Sequence, residues 1–470
     1  MKKRLTMLAV FVSLLSGCTV GPKYRRPVIE PPAAFRGSGD TAAASDPGSL
    51  ADMKWFEVFK DDQLQELIRT ALVNNYDLRR AVARIQAARA NLGITRSDQF
   101  PNITAGADVT TLRNSGSGQF VLPGGGSRDR TFGTVLLNLL SFEVDIWGRL
   151  RRAKEAARAN LLATEEDRKA VMTTIVGDVS AAYFNLLELD TELEIAKETL
   201  ATRQESLNLI RSRQQGGVAT MLDVRQAEQL VYGAAQTIPD IERLIEQTEN
   251  QINLLLGNDP GPVARGRSLS EQEQPPSAPP GLPSSLLERR PDIRAAELNL
   301  VAATANIGVA KAAYFPQISL TGFLGGQSSQ LSNLFSGAGG AWNFAPQVTL
   351  PIFNAGRVKS GVRFTEAQRQ LASTQYQQAI RTGFREVSDS LVEYRKVKEI
   401  RAQQEALVTT LQDRSRLAYL RYRGGVDTQL NALDADRDLF SAELSLAQTK
   451  RNELLALVLL YKALGGGWQQ

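Results

Sequence analysis

The chain has 470 residues, with 55 Lys and Arg against 50 Asp and Glu, a net charge of +5, no histidine and one cysteine. No ordinary transition-metal site, disulfide or histidine-based nucleophile pair can be built from such a set, and charge this small and mixed in sign along the chain does not describe a nucleic-acid surface. Enzymatic chemistry would have to rest on carboxylates, lysine or tyrosine; no spacing singles one out, so neither an enzyme nor a cofactor is expected.

The chain begins with Lys2, Lys3 and Arg4, an apolar run from Leu5 to Leu15, and then Ser16-Gly17-Cys18. Residues 1–17 read as a cleaved secretory signal, too short for a stable membrane anchor. Leu15-Ser16-Gly17-Cys18 resembles the lipobox of bacterial lipoproteins, which makes Cys18 the lipidated first residue of the mature chain. Several acyl chains hold a terminus firmly at a bilayer. Thr19, rather than Asp, follows the cysteine and favours the outer membrane.

From Asp77 the sequence reads "DLRRAVARIQAARANLGITRSDQFPNI", and from Asp292 it reads "DIRAAELNLVAATANIGVAKAAYFPQI", a shift of 215. "IWGRLRRAKEAARA" from Ile146 parallels "NAGRVKSGVRFTEA" from Asn354, and "GGVATMLDV" from Gly216 parallels "GGVDTQLNA" from Gly424, both at a shift of 208. With "LLLG" closing on Gly257 and "KALG" closing on Gly465, four matches in one order define a tandem duplication. Each half reads as helix, strand, loop, strand, very long helix, turn, helix. The boundaries are 18–100 for the N-terminal segment and first helix, 101–147 for strands one and two, and 148–256 for a long helical hairpin. A linker rich in Pro and Gly (257–286) without a core of its own follows. The second half has a helix at 287–315, strands three and four at 316–353, a second hairpin at 354–464, and a tail at 465–470.

Ala81 to Ile94 is alanine-rich and free of Pro, and reads as helix; a strand is expected after Phe100-Pro101. In the fourth strand Trp342, Phe344, Pro346, Val348 and Leu350 share one face, and Asn343, Ala345, Gln347 and Thr349 the other. Pro346 demands an edge, a bulge or a break in the ladder. The basic run Gly148 to Arg158 reads as a helix start whose cations face periplasm or headgroups. Gly148 to Gly216 and Gly356 to Gly424 are each 68 positions, so either helix would reach roughly 100 Å at 1.5 Å per residue. Such helices need packing along their whole length.

Four strands of about ten residues match a slanted bilayer crossing. Four alone cannot close, and each unpaired backbone group in lipid costs several kcal/mol, so other copies must complete the barrel.

The motifs "GCTVGPKYRRP", "WFEVFKDDQLQELIRTAL", "LPSSLLERRPDIRAAE" and "YRGGVDTQLNALDADRDLF" span nearly the whole mature chain. They resemble the outer-membrane factor family, the TolC-like and OprM-like exit ducts of efflux and secretion systems, and most closely its lipoprotein branch. The resemblance implies a mostly α chain with a transmembrane β part, assembled as a homotrimer: a twelve-stranded barrel continued by a periplasmic α-helical barrel. It also implies a periplasmic adaptor and an inner-membrane pump of the resistance-nodulation-division type as partners, in export of drugs or other small toxic compounds. By the resemblance, Gly216, Gly217, Val218, Ala219 and Thr220, with Gly424, Gly425, Val426 and Thr428, are the adaptor-docking tips; the glycines permit tight reversal. Leu430, Asp434 and Arg437 lie on one helix face by their i, i+4, i+7 spacing. By the resemblance, Leu430 is an apolar constriction, while Asp434 and Arg437 supply a carboxylate ring and gate ion pairs. The first repeat has Leu222, Gln226 and Gln229 at the matching places, and Asn431 stands where some members have a second carboxylate. Two other readings fit parts of the pattern. One is the duct of a type I protein secretion system; the other is a lipid-anchored periplasmic coiled-coil scaffold without a pore, which leaves the four strands unexplained.

Overall fold

A computed structural model describes residues 19–37, 49–113, 115, 129–273, 281 and 283–469. The expected signal 1–17, the expected lipid-attachment residue Cys18, most of the loop between the first two strands and the Pro-rich stretch 274–280 lie outside the described residues.

The elements in chain order are α1 (Trp55–Val58), α2 (Asp62–Asn74), α3 (Tyr76–Ser97), β1 (Ile103–Arg113), β2 (Asp129–Glu143), α4 (Arg149–Gln215), α5 (Met221–Leu256), α6 (Leu286–Arg289), α7 (Pro291–Ala312), β3 (Gln317–Ser328), β4 (Gly340–Thr349), α8 (Arg357–Arg423) and α9 (Gln429–Ala463). They divide between two compact units, one of Met1–Pro27, Ile85–Thr164 and Ala296–Tyr376, the other of Val28–Arg84, Glu165–Ala295 and Gln377–Gln470.

The first unit carries an antiparallel sheet in the order β1-β2-β3-β4. Leu139 opposes Ile103, Leu324 opposes Leu137 and Pro346 opposes Leu320, with a bulge in β2 between Leu139 and Phe142. This register puts Ile103, Val109, Leu137, Leu324, Trp342, Phe344 and Val348 on one face, all exposed. The other face carries Thr104, Asp108, Thr134, Asn138, Thr321, Asn343 and Gln347, with Thr134 donating a hydrogen bond to Asp108. An apolar outside and a polar inside are the pattern of a membrane barrel wall. Pro346 is accommodated because β4 is an edge strand.

The basic run is used differently from expectation. Arg149 pairs with Glu143 at 2.6 Å and Arg151 with Asp145 at 3.2 Å, while the buried Arg152 bonds Glu155 and reaches the carbonyls of Val20 and Gly21. These cations are neutralised inside the chain because carboxylates at the end of β2 stand one turn away. Residues 19–27 form a strap on the same unit. Val20 N–H donates to the Trp147 carbonyl, and the buried Glu297 accepts from Tyr24 Oη at 2.9 Å and from Arg26 Nε at 2.7 Å. At Gly21, with φ +100°, a Cβ would lie 2.5 Å from the Cα of Gly308, so backbone meets backbone there.

In the second unit α4, α5 and α9 share one core with α1 and α2, built on Leu50, Trp55, Leu64, Ile68, Val179, Tyr183, Leu186, Ile252, Leu457 and Leu460. The apolar stretch of α4 is long enough to cross a membrane by composition, yet Met172 to Leu189 supplies this core and is mostly buried. α5 runs through Pro239 without a break.

The linker builds no separate core among its described residues; Val263 and Leu269 are instead buried in that of the helical unit. Asp61, 1% exposed, explains why. It caps α2 through the N–H groups of Gln63 and Leu64 and also accepts from Arg267 N–H, Gln272 Nε2 and Tyr183 Oη. Burial pushes the Asp61 carboxyl up, and the hydrogen bonds from Gln272, Leu64, Arg267 and Tyr183 together outweigh burial and hold it below the ordinary carboxylate range. A depressed carboxylate contributes stability that is present above its unfolded value and lost as pH falls through its folded one. The unit is therefore expected to loosen below about pH 4, and Asp61→Asn to cost about 1–3 kcal/mol at neutral pH. Chemical denaturation of the variant across pH 3–7 checks both; an acid limb unchanged by the substitution would reject the assignment.

Candidate gate and docking tips

The two turns between long helices are built alike. At the first, α4 ends at Gln215, Gly217 takes φ +75°, and Val218 N–H returns to the Arg213 carbonyl at 2.9 Å. At the second, α8 ends at Arg423, Gly425 takes φ +74°, and Val426 N–H returns to the Arg421 carbonyl at 3.1 Å. Left-handed glycines close the helices with their last carbonyls satisfied. Gly216, Gly424, Ala219, Thr220 and Thr428 are exposed or nearly so, and Val218 and Val426 are 70% and 67% exposed. Each tip thus shows a small-residue surface with one bare valine.

The restarts differ. Thr220 and Asp223 make a reciprocal capping box on α5. Thr428 makes no such bond, and its N–H is held by Asp427, which also receives Arg421 Nε at 3.0 Å and Asn431 Nδ2 at 2.7 Å. Arg421, with the Thr428 and Asn431 bonds, holds the Asp427 carboxyl below its usual range. Asn431 therefore has a partner in its own turn. Asp427 escaped the sequence reading; an acid one residue before a Thr cap, six after an Arg, was its available signal.

On α9, Gln429, Ala432, Leu433, Ala435 and Asp436 are buried, whereas Leu430 is 50% exposed and Arg437 is exposed. Leu430, Asp434 and Arg437 occupy the side that packing leaves open. Asp434 Oδ1 lies 3.3 Å from Arg437 Nη2, which is also 3.6 Å from Asp438; Asp438 in turn holds Arg414 of α8 at 2.7 Å. The counterpart in the first tip, Leu222, is 66% exposed and is followed by the uncharged Gln226 and Gln229.

Behind this open side lies a buried ion pair. Arg203 of α4 donates from Nε to Asp436 at 2.7 Å and from Nη1 to the Leu230 carbonyl of α5, and its guanidinium lies 4.9 Å from the Phe440 ring centre. One guanidinium thus ties three helices together. The spacing of Asp436 from Ala432, Leu433 and Phe440 puts it on the packed face.

Farther along α4, Glu188 and Glu192 are buried one turn apart, with Gln448 bonded to Glu192 at 2.9 Å and Arg451 lying 3.7 Å from Glu188. Burial, and then the bond to and charge of Glu192, push the Glu188 carboxyl up to about 7, against the opposing pull of Arg451. A carboxyl raised on folding holds its proton in the native state, so stability falls as pH rises from about 4.5 to 7 and stays reduced above. Glu188→Gln should raise the melting temperature at pH 8 more than at pH 5; equal shifts would rule out the proton-sharing pair.

Four amphipathic strands with two open edges, continued by paired long helices that end in glycine turns, define a subunit of a membrane channel rather than a self-contained pore. The chain belongs to the outer membrane efflux protein family, whose profile matches residues 67–258 and 282–466. It is 40% identical over 479 residues to the antibiotic efflux pump outer membrane protein ArpC of Pseudomonas putida, and equally so to the toluene efflux pump outer membrane protein TtgC of the same species; either alignment covers 100% of this chain and 97% of the relative. Among solved structures, a membrane protein from Pseudomonas aeruginosa superposes with a TM-score of 0.89 at 36% identity, over 96% of this chain and 98% of that one.

Proposed function

We propose that three copies of this chain form an exit channel through the outer membrane, a twelve-stranded barrel continued by a helical tunnel into the periplasm. The duct is passive. An inner-membrane pump of the resistance-nodulation-division type energises export, and a periplasmic adaptor docks on the tips built around Gly216-Gly217 and Gly424-Gly425. The observation that carries this reading is the four-stranded sheet, apolar on one face, polar on the other and unpaired along β1 and β4. A periplasmic scaffold has no use for such a sheet, and lipid tolerates its open edges only if other copies close them. Relatives named for antibiotic and toluene efflux support small, largely apolar compounds as cargo. Leu430, Asp434 and Arg437 gate the periplasmic end, and acylated Cys18 tethers each copy to the inner leaflet of the outer membrane.

The test is single-channel recording with the full-length lipidated protein in planar bilayers. Discrete conductance steps from a trimeric species are expected; a monomer without pores would overturn the duct. Cys18→Ser should reduce the amount of trimer in outer-membrane fractions while leaving the unit conductance of inserted trimers unchanged.

A further inference from the structure

Three helices of the first unit, α4, α7 and α8, wall an open groove of about 440 Å³. Five carboxamides line it: Asn160 of α4, Asn299 and Asn306 of α7, and Gln368 and Gln375 of α8. A spacing of seven, from 299 to 306 and from 368 to 375, puts each pair on one helix face two turns apart. None of the five amides has a hydrogen-bond partner among the described residues, and no charged side chain lines the groove. Between the amides the surface is apolar, with Ala303 and Ala310 beneath and Phe364 and Leu371 at the rim.

The groove faces away from the strap of residues 19–27. On α7 the strap side is marked by Glu297, which holds Tyr24 and Arg26, and by Gly308, which meets Gly21. Glu297 and Gly308 are eleven residues apart, about three turns, and share a face; Asn299 and Asn306 lie about half a turn round from it. The strap leads from Cys18, so with acyl chains on that residue the strap side is the outside of the wall and the groove opens to the lumen. Its neutrality is particular to this place. The matching positions of the first half, 215 earlier for α7 and 208 earlier for α8, are Arg84, Asn91, Asn160 and Asp167, two of them charged where the second half has only amides.

We propose that this groove is a weak binding site in the lumen wall for uncharged, drug-sized cargo, compounds that combine a ring with amide or hydroxyl groups. The inference rests on the channel proposed above and names the chemistry that its wall favours. The volume falls within the range of small-molecule sites, about 300–1,000 Å³. Each amide carries donors and an acceptor, so the set matches hydrogen-bonding groups of either kind with no desolvated charge to offset. Phe364 and Leu371 supply an apolar edge for the ring. An ion finds no counter-charge there, and a plain hydrocarbon displaces the water on the amides without replacing its hydrogen bonds. The openness of the groove keeps binding weak, which a duct requires: cargo must leave as readily as it enters.

Chloramphenicol, uncharged and carrying a ring, an amide and two hydroxyls, is a suitable probe. Saturation-transfer NMR titration against the full-length lipidated protein in detergent is expected to show millimolar binding, and the same compound applied to single channels in planar bilayers is expected to give brief current blockades. Asn299→Leu/Asn306→Leu should weaken binding about tenfold through the loss of two amides and shorten the blockades. Both positions are exposed, and sizing of the oligomer shows that the variant assembles. Asn306→Asp keeps the size and adds a charge, and should turn the preference from chloramphenicol towards the cation ethidium. Asn91→Leu, at the matching position outside the groove, should leave binding as it was. Equal affinity in the double variant, or toluene bound as well as chloramphenicol, would overturn the amide site while the channel stands. Binding without blockade in conducting trimers would overturn its place in the lumen. Absence of pores under all conditions would sink the channel, and the lumen placement with it, whatever the titration shows.

Discussion

The double variant Asp434→Ala/Arg437→Ala is expected to raise single-channel conductance several-fold over the unmodified protein in planar bilayers without adaptor. The two side chains lie 3.3 Å apart on the open side of α9, and Arg437 is within 3.6 Å of Asp438 as well. As an isolated i, i+3 pair on a solvated helix they would contribute about 0.2–0.5 kcal/mol, and their loss would leave conduction as it was. If instead three copies bring these positions together around an axis, the ring holds three carboxylates whose mutual repulsion the arginines offset. The single variants separate the terms. Arg437→Ala leaves the carboxylates uncompensated, which should widen the tip and shift selectivity towards cations. Asp434→Ala leaves Arg437 with Asp438 and should do less. Conductance and reversal potential under a salt gradient read both effects, and an unchanged current in the double variant would remove Asp434 and Arg437 from the gate.

The largest loss of stability is expected for Arg290→Ala. Its guanidinium, with the residue 8% exposed, makes two bonds to Asp292 at 3.0 and 2.7 Å, a third to Glu386 of α8 at 2.7 Å and a fourth to the Ala463 carbonyl in the last turn of α9. One side chain thus fastens the start of α7 to both helices of the second hairpin. Its removal leaves a helix-terminal carbonyl unpaired and two carboxylates, 44% and 39% exposed, without their fork, which costs about 3 kcal/mol. Arg290→Lys keeps the charge but not the planar fork, and should fall between the two. Denaturant titration of the detergent-solubilised protein measures the difference; a loss below about 1 kcal/mol would show that the cluster is solvated rather than structural.

How much was legible beforehand follows from the range of each interaction. Alternation in β4 and the equal spacing of the glycine turns are local signals, and they give the strands and the hairpins directly. The open side of α9 follows from a spacing of four and then three residues. Asp61 has no such signal, because its partners Arg267 and Gln272 are more than 200 positions away. The same distance hid the buried part of the linker, whose composition resembles a free loop while its backbone donors complete the cap of α2. The basic run was misjudged through its neighbours: Arg149 and Arg151 look like surface cations until the bulged end of β2 delivers Glu143 and Asp145 beside them. "LPSSLLERRPDI" was recognisable as a motif without a reason, and the reason is Arg290 between three helices. Asp436 could have been placed by periodicity, but Arg203, 233 positions away, could not.

The unlike tips have a consequence for how the halves diverged. Both halves keep the same wall elements, two strands followed by a long helical hairpin. Control is another matter: acid and base stand at Asp434 and Arg437 in one half, where the other has Gln226 and Gln229. If Asp434 and Arg437 form the proposed gate, duplication freed one copy of the unit to acquire a lock while its twin stayed a neutral spacer, and three copies would carry three latches rather than six.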